Sequence, residues 1–133
     1  MGPMVLKWLP VAGLVPLLIA HAVFAYKEIF DWENSATKIL GMSDADARAA
    51  AGVGRNQGYS NAALAAGAAW GMAAPWLQGP EWVRPLATFF GTWAVLASVV
   101  GYATFEKTGF LVKQGLPGLI AVIAAWLPAI ADR

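Results

Sequence analysis

Four stretches of about twenty or more mostly apolar residues make up most of this chain, at about Val5–Phe30, Gln57–Leu77, Trp82–Phe105 and Phe110–Ala131. A bilayer core about 30 Å thick is crossed by a helix of roughly 20 such residues. Hydrocarbon offers nothing to hydrogen-bond a backbone, so each run must satisfy its own N–H and C=O groups, and the helix does this. The expected architecture is all-α: a bundle of four transmembrane helices with a short interfacial helix in the first loop.

Composition agrees. The 133 residues are 59% hydrophobic and 13% charged, against about 45–50% and about 25% in soluble domains. The chain therefore reads as one integral membrane domain, residues 1–133. There is no cysteine, which excludes disulfides and thiolate metal sites. A single histidine excludes a His-rich metal cluster, and a net charge of +1 gives no argument for nucleic acid. No cofactor is expected, since nothing besides the lone His21 points to haem.

The connections differ in length. Pro75, Gly79 and Pro80 mark the turn between the second and third runs, and Thr108 with Gly109 marks the next. The first connection, Asp31–Gly54, is long and polar. Within it "SDADARAAAG" offers Ser43 as an N-cap, Asp44 and Asp46 in the first turn, and Gly52 or Gly54 as a stop. This segment reads as a helix on the membrane surface, either a plain connector or a lid. Lys7 followed by an apolar run resembles a secretory signal, but the run continues well past "AHA" and "VFA", so the span is taken as uncleaved.

Orientation follows the cations. Lys7, Arg84 and Arg133 lie on one side; Lys27, Lys38, Arg48, Arg55, Lys107 and Lys113 lie on the other. The richer side is expected in the cytoplasm, which places both termini outside. Trp8, Trp76, Trp82 and Trp126 then form an outer aromatic belt and Trp32 sits at the cytoplasmic edge, while Trp70 and Trp93 lie deeper and could line a pocket.

The same orientation gathers the polar residues at one end. His21 and Glu28 are two helical turns apart on one stripe of the first run. Asn56, Gln57, Tyr59 and Asn61 open the second, with Gln57 and Asn61 read onto one face. Thr88, Thr92, Ser98, Tyr102 and Glu106 form a loose stripe on the third. Gln114 precedes Pro117 by about one turn on the fourth, and that proline leaves the Lys113 carbonyl without its usual donor. Ionisable groups inside a span are functional candidates by default. His21 and Glu28 are therefore the expected acid–base pair. Two turns is too far for direct contact, so water, a ligand or an amide such as Asn61 must stand between them. Trp32, Asn56, Gln57, Tyr59, Asn61, Tyr102 and Gln114 are the expected substrate-binding set. Amides between membrane helices also serve as packing contacts, at about 1 kcal/mol each.

His21, Glu28 and Trp32, then "NQGYSN", then "KQGLPG" resemble the small bacterial membrane proteins grouped as domain of unknown function 1304. The resemblance covers nearly the whole chain and its NQG motif is its most specific part. Ser60 stands here between Tyr59 and Asn61, where the family pattern has the two adjacent. The resemblance implies a four-helix protein of the bacterial inner membrane and implies no activity.

The expected function is binding or conversion of a small lipophilic molecule in a polar intramembrane pocket open toward the cytoplasm, with acid–base isomerisation or ring opening as the reaction class. A small transporter or channel subunit and a structural assembly partner are the alternatives. The apolar outer halves of the runs ("WAVLA", "IAVIAAWL") speak against a continuous polar track. Membrane lipids and a small lipophilic ligand are the expected partners, with a homo-oligomer left open.

Overall fold

A computed structural model describes residues 3–131. Arg133, one of the cations in the orientation argument, lies outside the described residues. The described chain is helical almost throughout. α1 spans Pro3–Phe30, α2 Trp32–Ser35, α3 Asp44–Ala49, α4 Ala51–Leu77, α5 Val83–Phe105 and α6 Leu116–Ala131. A π-helical turn, Ala36–Leu40, follows α2; a second, Leu111–Gly115, leads into α6.

Among the described residues, three segments are long and apolar enough to cross a membrane: Leu6–Phe30, Pro80–Phe105 and Leu111–Ala131. α4 is long enough, with 27 residues, or about 40 Å at about 1.5 Å per residue. It is not apolar enough, because alanine and glycine dominate it and Arg55, Asn56, Gln57 and Asn61 open it. Its length comes from starting earlier than expected. The surface helix α3 stops at Ala50, and Gly52 and Gly54 are not its stop but part of α4. The first loop thus carries two short helices rather than one. Ser43 caps α3 as expected: its hydroxyl accepts from Asp46 N–H at 3.1 Å and donates to the Asp46 carboxylate at 2.6 Å.

Turn chemistry fixes the other reversals. Gly79 sits at φ 127°, open to glycine, before the 3₁₀ turn Pro80–Trp82. α5 ends at Glu106, which takes the left-handed conformation at φ 53°. Lys107 and Thr108 complete the turn, and Gly109, expected within it, already opens the next helical stretch.

α1 and α4 run antiparallel in close register. Trp8 stacks on Trp76, Gly71 faces Leu14, Asn61 meets His21, Gly58 faces Ile29 and Gly54 lies under Trp32. The glycines permit this approach: a Cβ at Gly58 would lie 2.6 Å from Ile29 Cγ1, and one at Gly54 would overlap the Trp32 ring. α5 and α6 meet in the same way, with the Gly91 and Gly118 backbones against each other and Ser98 against Gly115. α1 touches α6 where Gly13 meets Ala124. The apolar core (Leu14, Leu17, Ala68, Leu86, Ala94, Ala121 and neighbours) fills the half of the bundle nearer Lys7.

Candidate functional site

The other half holds the buried polar side chains. His21 is fully buried, Asn61 and Ser98 nearly so, and Gln114 is 6% exposed. His21, Asn61 and Glu28 form one hydrogen-bonded chain. His21 Nδ1 lies 2.7 Å from Asn61 Oδ1, and Asn61 Nδ2 donates to Glu28 Oε2 at 2.6 Å. The two α1 residues that stand two turns apart are bridged by an amide from the neighbouring helix. Glu28 itself is half-buried, at the end of α1 that faces the loop.

With Glu28 ionised, the amide has one good orientation. A carboxylate only accepts, so Asn61 must turn its NH₂ toward Glu28 and its carbonyl toward His21. A carbonyl only accepts as well, so His21 Nδ1 carries the proton. In the neutral ring Nε2 then holds a lone pair. That nitrogen is buried and finds no hydrogen-bond partner among the described residues. The Phe24 ring stands edge-on to the imidazole, 6.0 Å between centroids. Buried polar atoms are paired in the large majority of cases, so an orphaned one calls for a reason.

Gln114 is buried in the π-helical turn Leu111–Gly115, which packs on both α1 and α5. There Leu116 N–H bonds Leu111 O, one residue further back than in an α-helix. This shifts the frame just before Pro117, whose ring has no N–H to give. π-bulges recur at functional sites. Gln114 shares the buried region with the chain but makes no bond to it.

The remaining expected residues do not converge. Asn56, Gln57 and Tyr59 are exposed, Tyr59 at 63%. The inward stripe of α4 runs Gly54, Gly58, Asn61, Ala65, Ala68. Gln57 precedes that stripe by one residue, about 100° around the helix, so it does not share a face with Asn61. Glycine takes the inward position at 58 because α1 comes too close for a side chain. Trp32 is half-buried and serves the loop: its Nε1 donates to Ala47 O at 2.8 Å and its ring covers Gly54. Tyr102 and Glu106 are exposed, so only Ser98 of the α5 stripe is buried, with its hydroxyl on Val95 O. Trp70 and Trp93 face outward rather than into a pocket, and Trp70 donates to Gln78. A cleft of about 460 Å³ exists, but at the Lys7 end of the bundle, not beside His21. Sequence reasoning missed it, although prolines at 10, 75, 80, 85 and 128, all near helix ends of that side, were its signal.

Fold and site together define a class: a helical bundle with membrane-length apolar helices and, at one end, a carboxyl–amide–imidazole chain that runs from a half-buried Glu28 to a fully buried His21. Residues 15–126 match the family model described as "Protein of unknown function (DUF1304)", and the chain belongs to that family. No curated protein and no solved structure matches it.

Proposed function

We propose that this is an integral membrane protein with four crossings. In it the Glu28–Asn61–His21 chain forms an acid–base site for a small lipophilic molecule, with isomerisation or ring opening as the reaction. α4 supplies the fourth crossing: it lies along α1 over its length, so its low apolarity is offset by packing against a neighbour rather than lipid.

The observation that carries the reading is the buried, unpartnered His21 Nε2 at the deep end of the chain. Asn61 holds the ring in the tautomer that leaves Nε2 basic, and Glu28 holds Asn61. When Nε2 takes a proton, the imidazolium that forms is stabilised through the amide by the Glu28 charge, the logic of an oriented histidine base. An isomerisation balances without a co-reactant, the base removing a proton at one carbon and returning it at another. Opening a lactone instead consumes one water: Nε2 takes the water's proton as its oxygen attacks the ring carbonyl, and then returns that proton to the leaving ring oxygen. Glu28 thus acts on substrate through Asn61 rather than directly. The apolar core beyond His21 favours a dead-ended site over a path across the membrane.

The test uses purified protein in nanodiscs with medium-chain lactones and β,γ-unsaturated ketones as probes, followed by mass and chiral chromatography. Wild type converts at least one probe class, and His21→Gln lowers the rate by about 10²–10⁴. A probe converted equally by His21→Gln, or no conversion of either class together with no binding, removes the proposal.

A further inference from the structure

The cleft at the Lys7 end is built from other residues than the buried chain and stands apart from it. At about 460 Å³ it falls within the about 300–1,000 Å³ of small-molecule sites. Lys7 and Arg84 bring two cations to it, Glu81 brings one carboxylate, and Leu6, Val11 and Val83 supply apolar wall.

Each of the two cations stands beside an aromatic ring. Lys7 Nζ lies 5.9 Å from the centroid of the Trp8 ring, which stacks on Trp76. The Arg84 guanidinium lies 5.4 Å from the Trp126 ring, and Trp126 Nε1 donates to Thr88 Oγ1 at 3.0 Å. Contact with a ring face leaves the in-plane N–H groups of the guanidinium free to donate to two oxygens of a phosphate. The Glu81 carboxylate folds back over Gly79, where a Cβ would stand 2.5 Å from both its oxygens. Pro10, also in the wall, has no N–H to give the Leu6 carbonyl four residues back, which leaves that oxygen free to accept.

We propose that this cleft binds the headgroup of a phospholipid carrying both a phosphate and a primary ammonium, that is, phosphatidylethanolamine. Two cations with one carboxylate and one free carbonyl match that headgroup group for group. The phosphate accepts from Arg84 and Lys7, and the ammonium donates to Glu81 and to the Leu6 carbonyl. The acyl chains continue along the apolar wall. The cleft lies at the ends of membrane-length helices, among tryptophans of the kind that sit at headgroup level, which favours a lipid over a free phosphate. This inference rests on the membrane reading alone and not on the acid–base chemistry.

Native mass spectrometry of the detergent-purified protein, with phosphatidylethanolamine, phosphatidylglycerol and phosphatidylcholine added at equal concentration, tests it. The ethanolamine lipid gives the dominant one-to-one adduct. The double variant Lys7→Gln with Arg84→Gln lowers that adduct at least about tenfold. Glu81→Gln brings the ethanolamine lipid down to the level of the glycerol lipid. Should the double variant misfold, Arg84→Lys keeps the charge, removes the fork and still weakens the adduct at unchanged Tm. Equal adducts of all three lipids in the wild type, or an ethanolamine preference untouched by Glu81→Gln, overturns the proposal. A chain that fractionates as soluble without detergent overturns the membrane reading instead.

Discussion

Asn61 Nδ2 lies 2.6 Å from Glu28 Oε2, and this one bond ties the loop-facing end of α1 to α4 at the level of the buried polar residues. The same amide meets His21 at 2.7 Å. Asn61→Ala removes both bonds at once. It leaves a half-buried carboxyl and a fully buried imidazole without partners, each at about 1–3 kcal/mol. Thermal unfolding in detergent should show a clear fall in Tm, and a variant melting like the wild type would mean that the chain is not formed.

Replacing Glu28 and His21 separates stability from chemistry. Glu28→Gln still offers an oxygen to the Asn61 NH₂, so its Tm should stay near that of the wild type. It nevertheless removes the charge that stabilises an imidazolium, so conversion of the probe should fall. His21→Ala loses both the ring and a partner for Asn61 Oδ1, costing about 1–3 kcal/mol for the unpaired oxygen alone. If both variants lose stability and neither loses conversion, the chain serves packing only.

The tautomer of His21 can be read directly. It is the only histidine in the chain, so ¹⁵N-histidine labelling gives one imidazole. With Glu28 ionised, Nδ1 should carry the proton and Nε2 should resonate as an unprotonated ring nitrogen. Asn61→Leu should abolish that fixed preference. A wild-type ring protonated at Nε2 alone would reverse the orientation of the amide and undo the basic role of that nitrogen.

Topology has its own check. On the cation count the termini are expected outside and residues 31–54 inside. Reporter fusions at the C-terminus and within the α2–α3 loop should report opposite sides, the loop being cytoplasmic. A cytoplasmic C-terminus would turn the bundle over and place the lipid cleft in the inner leaflet.

Much of this arrangement was legible in the residues and some was not, for physical reasons. Long apolar runs announce helices because hydrocarbon leaves the backbone no other choice, and α1, α5, and α6 together with the π-helical turn before it, fall close to their expected bounds. His21, Glu28 and Asn61 stood out because buried polar groups need partners, and they are brought together. Gln57 does not share the expected face with Asn61, because rotational phase cannot be fixed from polar residues alone. Glycines set it: Gly58, continued by Asn61, is the face α1 rests on, Gly54 lies under Trp32 of α2, and Gln57 and Tyr59 beside them are turned outward. The cleft escaped notice because it is assembled from the ends of helices distant in sequence, which no local pattern relates.

Gly58 and Gly52 stand in opposite surroundings on the same helix. A Cβ at Gly58 would stand 2.6 Å from Ile29 Cγ1 and 3.1 Å from both Glu28 Cβ and Ile29 N, with backbone among the atoms that must give way. Gly58→Ala should therefore push α1 away from α4 at the level of Asn61, stretch the bond to Glu28 and cost about 1–3 kcal/mol, the usual range for overpacking. Gly52 lies on the same helix, exposed and with nothing within 4 Å of an added Cβ. Gly52→Ala should hold or raise stability by about 0.4–1 kcal/mol through the lost freedom of the unfolded chain. Tm measured for the pair gives opposite signs if α1 rests on Gly58. Equal, small shifts would show that the two helices do not meet there, and the Asn61 bridge would fall with that contact.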